Sequence, residues 1–243
     1  MKISVIIPVL NERVNLPAAV DSVQAAITDP EIVVVDGGST DGTLEWLQIQ
    51  PAIRLVQSVA GKGLQLNAGS KAASGDIFLF LHADCLLPSN AGAMLNQVMQ
   101  EAKIAGGCFL ARWSRNTTAL RVISFGMNLR TTIGKRSYGD QALFIRRTAF
   151  HDIGGFPDWP LFEDAELVRK LKTVGRFKVI NSPVTMSSRR FEAGGILRGI
   201  FLVYFLQIAF ILGVPPRKLK KWFVDIRPHF KANDNGHEES KPA

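Results

Sequence analysis

The chain has 243 residues, of which 47% are hydrophobic, and its formal net charge is +8. It is long enough to bury one large core, and its length alone does not require two domains. The two cysteines, Cys85 and Cys108, exclude a disulfide framework and indicate a reducing compartment. The basic charge suits anionic partners such as nucleotides, phospholipid headgroups or nucleic acid, but it does not choose among them.

The chain begins with a charged and apolar segment, residues 1–10, whose composition is that of a signal peptide. We interpret it as a first strand, because Pro8 interrupts the apolar run and Asn11 and Glu12 end it without a small-residue cleavage site. Strand-like and helix-like segments then alternate. Strands are predicted over 3–8, 32–35, 53–56 and 77–81, and helices over 16–27, 44–49 and 64–73. Repeated units of this length predict an α/β fold with a mostly parallel central sheet and helices on both faces.

The fourth predicted strand, 77–81, runs directly into His82 and Asp84. In open α/β sheets ligands bind just beyond the carboxyl ends of the strands, so these residues reach a position where chemistry is common. The alternative is that Asp84 only caps a helix that begins near Ser89.

A turn-rich loop, residues 36–43, follows the second predicted strand. Its glycines let the backbone turn sharply and approach a ligand, and Asp36 can accept hydrogen bonds from a nucleotide base or ribose. The alternative is a capped turn that binds nothing. The glycine spacing fits neither a dinucleotide fingerprint nor a P-loop, and 61–63 does not fit a P-loop either. Lys62 either meets a phosphate or is a solvated loop lysine.

Four short motifs follow one another along the chain. They are 5–12 (Val-Ile-Ile-Pro-Val-Leu-Asn-Glu), 34–43 (Val-Val-Asp-Gly-Gly-Ser-Thr-Asp-Gly-Thr), Lys62-Gly63 with Asn67-Ala68-Gly69, and His82-Ala83-Asp84. Each motif is weak alone, but the four in this order resemble family 2 of the inverting glycosyltransferases over roughly residues 2–225. The resemblance implies a GT-A fold, a nucleotide-sugar donor and a divalent metal, either Mg²⁺ or Mn²⁺.

By this resemblance, Asp36 recognises the donor nucleotide and Asp84 is the metal-binding acid of the family's Asp-x-Asp motif. His82 stands where the motif has its first acid, but one carboxylate together with pyrophosphate oxygens is a usual Mg²⁺ arrangement. The resemblance assigns donor binding to Pro8, Leu10, Glu12, Asp36, Gly38, Lys62, His82, Ala83, Asp84, Arg189 and Arg190.

The second half of the chain supplies the acceptor side. It predicts a strand over 104–110, a helix over 117–131, and a loop that feeds a strand within 139–147. In that loop Gly139, Asp140 and Gln141 are candidates for acceptor binding. The alternative role for Asp140 and Gln141 is to order the loop.

The next predicted helix opens with 161–167, Leu-Phe-Glu-Asp-Ala-Glu-Leu. Acids in a first helical turn are ordinary partners of the helix dipole. The resemblance instead identifies Glu163 and Asp164 as the family's catalytic pair. It implies that Asp164 is the general base for an acceptor hydroxyl while the metal stabilises the leaving phosphate, which gives inversion by one displacement. Glu163 then orients the site, and Glu166 points to solvent.

Two arginines, Arg189 and Arg190, come soon after a strand predicted over 177–180. Arginine suits bidentate contact with a pyrophosphate. The Gln-x-x-Arg-Trp signature that many processive members carry is absent here, which argues against a polymerising synthase.

An apolar stretch, 199–214, lies near the end of the chain and contains Gln207. At about 16 residues it is shorter than the roughly 20 that span a bilayer. Basic residues flank it, so it can lie in a membrane interface beside anionic headgroups. The alternatives are a buried closing helix and a homodimer face. The polar residues 231–243 predict a disordered tail.

These features predict one GT-A domain over 1–230. Its nucleotide-binding half covers about 1–112, its acceptor half about 113–195, and its C-terminal helices about 196–225. The His-Ala-Asp, Gly-Asp-Gln, Glu-Asp and Arg-Arg patterns before an apolar helix resemble a bacterial subgroup labelled arsenosugar-biosynthesis glycosyltransferases.

Three functions stay open. The first is a metal-dependent glycosyltransferase with a small soluble acceptor. The second is a peripheral membrane transferase that acts on a polyprenyl phosphate or another lipid, and the third is a nucleotide-binding protein without turnover. The predicted location is the cytoplasm, at the inner face of the cell membrane in the second case. No nucleic-acid recognition module is recognisable.

Overall fold

A computed structural model describes residues 1–135, 137, 139–188 and 196–226, and all their side chains except those of 196–200 and 224–226. Arg189, Arg190 and the predicted disordered tail 231–243 lie outside the described residues. The chain forms two compact units, Met1–Ser188 and Arg189–Ala243. The single-domain boundaries expected from the sequence stay a prediction.

The first unit alternates strands and helices. Its strands are β1 (Ile3–Val9), β2 (Glu31–Asp36), β3 (Ile53–Gln57), β4 (Ile77–Phe80), β5 (Cys85–Leu86), β6 (Ile104–Trp113), β7 (Leu143–Arg146) and β8 (Arg176–Met186). Its helices are α1 (Leu16–Ala26), α2 (Thr43–Gln48), α3 (Lys62–Ala72), α4 (Ala91–Met99), α5 (Thr118–Gly134), α6 (Arg147–Asp152) and α7 (Glu163–Val174). A 3₁₀ turn, Gly139–Gln141, precedes β7.

The strands form one mixed sheet in the order β3-β2-β1-β4-β7-β6-β8-β5. The predicted parallel arrangement is right for β3, β2, β1 and β4. It is right for β6 and β8 as well, which pair in parallel. The departures are β7, which runs antiparallel to both β4 and β6, and β5, which runs antiparallel to β8. The apolar pattern of β7 indicates a buried strand but not its direction, because the direction depends on the path of the preceding chain.

The reversal of β7 decides where the preceding loop lies. Leu143, the first residue of β7, pairs with Phe80, the last residue of β4. The turn Gly139–Gln141 therefore lies at the same edge of the sheet as the carboxyl end of β4, where His82 and Asp84 follow.

Both faces of the sheet are covered, because successive side chains of a strand point to opposite faces. In β1, Val5 and Ile7 join the apolar cluster that contains residues of α1 and α4. Ile6 joins the other cluster, with residues of α3, α6 and α7. Helix α3 approaches β1 and β2 closely at Gly69, where a Cβ would come within 2.8 Å of side-chain atoms of Ile6 and Val35. A larger residue there would push the helix off the sheet.

Strand β8 is longer than the predicted 177–180 segment and extends through Asn181, Ser182 and Pro183 to Met186. These polar and proline residues predict a strand end. The strand continues because its pairing with β6 shifts register, with Phe109 opposite Ile180 and Leu110 opposite Pro183. A β-bulge accommodates the extra residues.

The described part of the second unit consists of α8 (Ile196–Ile211) and α9 (Pro216–Ile226). The two helices contact each other, and the Phe205 and Trp222 ring centroids are 5.9 Å apart. Within residues 1–135, 137, 139–188 and 196–226, none of the helices has the length and apolar character needed to cross a bilayer.

Candidate active site

Four segments of the first unit bring polar side chains to one edge of the sheet. His82 and Asp84 follow β4, and Lys62 is the first residue of α3, which follows β3. The turn with Gly139 precedes the antiparallel β7, and Asp164 lies in the first turn of α7, which leads into β8. Strand ends of an α/β sheet are the usual location of a ligand site.

The loops after β1 and β2 hold each other through side-chain to backbone hydrogen bonds. Asp41 accepts one from the Arg13 N–H at 3.0 Å, and the Asn11 amide oxygen accepts one from the Thr40 N–H at 2.8 Å. The Thr43 hydroxyl accepts one from the Glu12 N–H at 3.1 Å. We refer to these two segments, 11–13 and 38–43, as the donor-side loops.

Asp36 orders the second of these loops from inside. Its side chain is buried, and its carboxylate accepts hydrogen bonds from the N–H groups of Gly38 at 2.9 Å and Ser39 at 3.1 Å. Gly38 has a φ of +96°, which favours glycine. The predicted contact of Asp36 with a nucleotide stays a prediction.

The other residues assigned to donor binding differ in exposure. Leu10 is half exposed, whereas Ala83 is buried in the core. Pro8 pairs with Val35 inside the sheet. The Glu12 carboxylate accepts a hydrogen bond from the Asn15 side chain at 2.6 Å. Arg189 and Arg190 are outside the described residues, so their predicted clamp has no structural description.

Gln65 is a site-supporting residue that the sequence reasoning missed. Its amide nitrogen donates to the carbonyls of Val9 at 2.8 Å and Val35 at 2.9 Å, which closes the ends of β1 and β2. Its amide oxygen accepts from the Gly61 N–H at 3.3 Å, immediately before Lys62. The sequence offers no signal for this role, because only the structure shows that this glutamine of the first helical turn is buried.

Glu163 and Asp164 share one cation at the edge of the sheet. The Lys62 ammonium lies 2.5 Å from Glu163 Oε1 and 3.2 Å from Asp164 Oδ2. Both acids are almost fully buried. The predicted Glu-Asp pair therefore exists as a buried pair that contacts Lys62.

Every oxygen of the Asp164 carboxylate accepts a hydrogen bond. Oδ2 accepts from the Gly139 N–H at 2.5 Å as well as from Lys62, and Oδ1 accepts from the Ala165 N–H at 2.7 Å. Burial raises the pKa of Asp164, but the Lys62 ammonium and these N–H donors outweigh burial and lower it below its ordinary value. Asp164 is therefore ionised at neutral pH.

Gly139 is enclosed by three of the predicted site residues. A Cβ on Gly139 would lie 3.0 Å from His82 Nε2, 3.1 Å from Asp164 Oδ2 and 3.2 Å from Lys62 Nζ. The structure therefore brings together residues that the sequence separates by as much as 102 positions. The absence of a side chain at 139 leaves room for this convergence.

Asp140, the next residue, carries a carboxylate oxygen, Oδ1, that is buried and has no hydrogen-bond donor among the described residues. Burial, reinforced by the negative charge of Asp164, raises its pKa to about 6. We refer to Glu163, Asp164, Asp140 and Lys62 as the acid cluster. Two carboxylates whose pKa values are pushed apart are typical of an acid-base site.

Gln141 is fully buried and accepts hydrogen bonds through Oε1 from Thr131 at 2.9 Å and Ser137 at 3.1 Å. These contacts favour the loop-ordering role for Gln141, and its predicted acceptor contact stays a prediction. Glu166 does not point to solvent as expected. It makes two hydrogen bonds of 2.7 Å with Arg169, because the residues are three positions apart on one face of α7.

Asp84 is the predicted metal ligand, and this role stays a prediction. The described residues include no group of three or more His, Cys, Asp or Glu that could hold a metal. Asp84 is partly exposed and offers carboxylate oxygens, so it fits an Mg²⁺ or Mn²⁺ ion whose other ligands come from donor phosphates and water. The chain after β4 does not cap α4 through Asp84, since α4 begins only at Ala91.

Residues 4–155 match the family model described as Glycosyl transferase family 2. The chain belongs to glycosyl transferase family 2. The family 2 match ends before Glu163 and Asp164, so the assignment of these two acids depends on the geometry of the acid cluster.

Curated relatives carry transferase names. An undecaprenyl-phosphate 4-deoxy-4-formamido-L-arabinose transferase of Serratia proteamaculans is 32% identical over 167 residues, which is 63% of this chain and 50% of that protein. Glycosyltransferase AglE of Haloferax volcanii is 31% identical over 171 residues, 64% of this chain and 56% of that protein. The chain spans about half the length of the curated relatives it matches.

Solved structures share the fold of this family 2 chain. The mannosyltransferase PcManGT from Pyrobaculum calidifontis, in complex with GDP-Man and Mn²⁺, has a TM-score of 0.62 and 24% identity, and the match covers 90% of this chain and 67% of that one. S. aureus TarS 1-349 in complex with UDP-GlcNAc has a TM-score of 0.61 and 21% identity, with 77% and 58% covered. These likenesses confirm a mixed α/β fold of the GT-A kind.

Proposed function

We propose that this family 2 chain transfers a sugar from a nucleotide-sugar donor to an acceptor hydroxyl. The observation that carries the proposal is the convergence of Asp164, Lys62, His82 and Gly139 at the carboxyl edge of the sheet. Names of relatives and neighbours support it, since they include transferases and complexes with UDP-GlcNAc and GDP-Man.

Asp164 is the general base of the proposed reaction. It is held ionised at the end of the sheet, where its carboxylate can take the proton of an acceptor hydroxyl as that oxygen attacks the anomeric carbon. Burial around Glu163 and Asp164 keeps water from the carboxylate. One displacement inverts the anomeric centre, and no covalent sugar-enzyme intermediate forms.

The donor lies between the donor-side loops and Asp84 in this proposal. Asp36 and the segment 11–13 face the nucleotide. His82 lies two positions before Asp84, and its ring reaches the Gly139 turn beside the acid cluster. A divalent cation bound at Asp84 would neutralise the charge that develops on the leaving diphosphate. The complex of a neighbour with Mn²⁺ supports this part of the proposal.

The test is a transfer assay with a panel of nucleotide sugars and Mn²⁺ on the wild type and on Asp164→Asn. We expect turnover with one donor to fall by about 100-fold or more in the variant, with nucleotide binding retained. Glu166→Gln, an acid of the same helical turn that contacts Arg169, is the matched control and should keep full activity. Retention of the anomeric configuration, measured by NMR, would contradict the single displacement.

A lipid acceptor at a membrane surface is the second candidate. In α8 the exposed apolar residues recur every three or four positions and so form a stripe. They are Phe201, Tyr204, Phe205, Ile208 and Ile211. Arg217, Lys218 and Lys221 of α9 are exposed, and an apolar stripe beside basic side chains suits an interface with anionic lipid. The undecaprenyl-phosphate names of relatives agree with this candidate.

Co-sedimentation with vesicles tests it. The wild type should bind vesicles with phosphatidylglycerol better than vesicles of phosphatidylcholine alone, and Phe201→Ser with Ile208→Ser should remove binding. Ile49→Ser changes an apolar residue of the first unit that is 72% exposed, against 74% for Phe201, and should have no effect. Concentration-dependent dimers that Phe201→Ser disrupts, without any vesicle binding, would favour the homodimer face instead.

The narrower expectations stay predictions. They are the arsenosugar subgroup, a small soluble acceptor, the cytoplasmic location, and the third reading of a nucleotide-binding protein without turnover. The intact Glu163-Asp164 pair beside Lys62 argues against the third reading, because a protein that only binds nucleotides does not need a buried base.

A further inference from the structure

Lys62 differs from its partners in how accessible it is. Its side chain is 34% exposed, whereas those of Glu163 and Asp164 are 3% and 6% exposed. The ammonium stands at the end of four rotatable bonds. Lys62 is therefore the member of the acid cluster that can move without opening the core.

The proposed base has a difficulty in this arrangement. A general base has to offer an oxygen lone pair to the acceptor hydroxyl, but three of the roughly four acceptor sites of the Asp164 carboxylate are occupied, including both sites of Oδ2. The N–H groups of Gly139 and Ala165 are fixed by the 3₁₀ turn and by α7. The Lys62 contact is the one of the three that a side-chain rotation can release.

The charges around Lys62 also allow its ammonium to exchange a carboxylate partner for a diphosphate. Glu163, Asp164 and Asp140 are three carboxyl groups near one ammonium, and the Lys62 charge acts on Asp140 as well as on the other two. A donor diphosphate is an anion of higher charge density than a single carboxylate. It competes for an ammonium that is already partly in solvent.

We propose that Lys62 exchanges partners during the reaction. With the donor site empty it pairs with Glu163 and Asp164, and with the donor bound it pairs with the diphosphate, which frees an acceptor site on Asp164 Oδ2 for the acceptor hydroxyl. This inference rests on the proposed function, and it makes Lys62 a positioning residue that couples donor binding to the availability of the base. The donor binds before the acceptor.

The first measurement is calorimetric titration of a panel of nucleoside diphosphates with Mn²⁺. We expect Lys62→Met to weaken binding of the preferred nucleotide by about tenfold or more, and Lys62→Arg to restore most of it. Lys71→Met changes a lysine at the other end of α3 and should leave the affinity unchanged.

A competition experiment separates the exchange from simple repulsion. If Lys62 alternates between partners, Glu163→Gln removes one competitor and should tighten nucleotide binding by about threefold. In the Lys62→Met background the same change should have no effect. Equal tightening in both backgrounds would mean that Glu163 only repels the diphosphate, and this would overturn the exchange. Glu166→Gln should change neither background.

Two further outcomes keep this inference apart from the proposed function. No nucleotide binding by the wild type overturns the donor site and the exchange together. Binding that Lys62→Met leaves unchanged overturns the exchange alone. If Lys62→Met does not fold, Lys62→Met with Asp164→Asn removes one buried charge along with the cation. The nucleotide affinities of this double variant and of Asp164→Asn alone are then compared. Adding Glu163→Gln should tighten binding only where Lys62 is still present.

Discussion

The donor-side loops and the acid cluster lie at the same edge of the sheet, but their carboxylates have different hydrogen-bond and charge partners. Asp36 and Asp41 accept hydrogen bonds from backbone N–H groups within or between neighbouring loops. Glu163 pairs with the ammonium of Lys62, Asp164 accepts from that ammonium as well as from two backbone N–H groups, and Asp140 keeps a buried oxygen without a donor among the described residues. The carboxylates of the donor-side loops are therefore satisfied by nearby backbone groups, whereas those of the acid cluster also need a charge from a distant part of the chain.

This difference indicates which region adds to the free energy of unfolding and which region lowers it. Backbone donors favour the charged form of a carboxylate and add stability at neutral pH. A carboxyl group that is buried without donors removes stability once it ionises. Buried ionisable groups that lower stability in this way are concentrated at functional sites.

Asp140→Asn should give the largest effect. Folding raises the pKa of Asp140 from 3.8 to about 6, so the folded chain keeps a proton that the unfolded chain releases between these pH values. Stability therefore falls as the pH rises from about 4 to about 6, and Asp140→Asn should stabilise the protein by about 1–3 kcal/mol at pH 8 and by little at pH 4. Denaturant unfolding at both pH values measures this. Asp21→Asn, on the exposed face of α1, is the control, and an equal gain at both pH values would contradict the prediction.

Asp41→Ala should lower the free energy of unfolding, and by less than Asp140→Asn raises it. Its carboxylate accepts from the N–H groups of Arg13 and Thr43, and although burial raises the pKa of Asp41, the Thr43 hydroxyl and these donors lower it below 3.8. The variant should lose about 1 kcal/mol at neutral pH. The loss should disappear as the pH falls through that lowered pKa, because the wild-type carboxyl group then becomes neutral. Thermal unfolding beside the exposed Asp158→Ala checks the result.

Gly139→Ala should have the smallest effect on stability and a clear effect on activity. The added methyl group would press on His82, Asp164 and Lys62 by a few tenths of an ångström. We expect a loss of less than about 1 kcal/mol in stability and about tenfold in turnover. Gly154→Ala is the contrasting variant, because a φ of +76° and open space predict strain of about 1 kcal/mol without a change in turnover. Full activity of Gly139→Ala would show that the convergence at 139 is not needed.

Local patterns predicted most elements of the first unit. The strand–helix alternation through residue 81 matches β1–β4 and α1–α3 with ends that differ by one or two residues, because short apolar runs bounded by polar, proline or glycine residues mark these strands. The direction of β7 and the length of β8 were not predictable, since they depend on pairing between distant strands.

The candidate site was predictable as a set of residues but not as a set of contacts. Lys62 and Asp164 are 102 positions apart, and each has an ordinary local explanation as a loop lysine or a helix-start acid. Only the order of strands in the sheet brings them together. Gln65 was missed because a polar residue on an amphipathic helix usually faces water.

A pair of hydrogen bonds joins α3, which carries Lys62, to the segment that precedes α7. The Asn67 side chain donates to the Phe156 carbonyl and accepts from the Phe156 N–H, both at 2.9 Å, so it pairs with the backbone as a neighbouring strand would. Asn67 belongs to the helix that carries Lys62, and Phe156 lies six residues before Phe162, just ahead of Glu163 and Asp164. The Phe156 amide hydrogen should therefore exchange with solvent as slowly as those of α3, because the two segments can open only together.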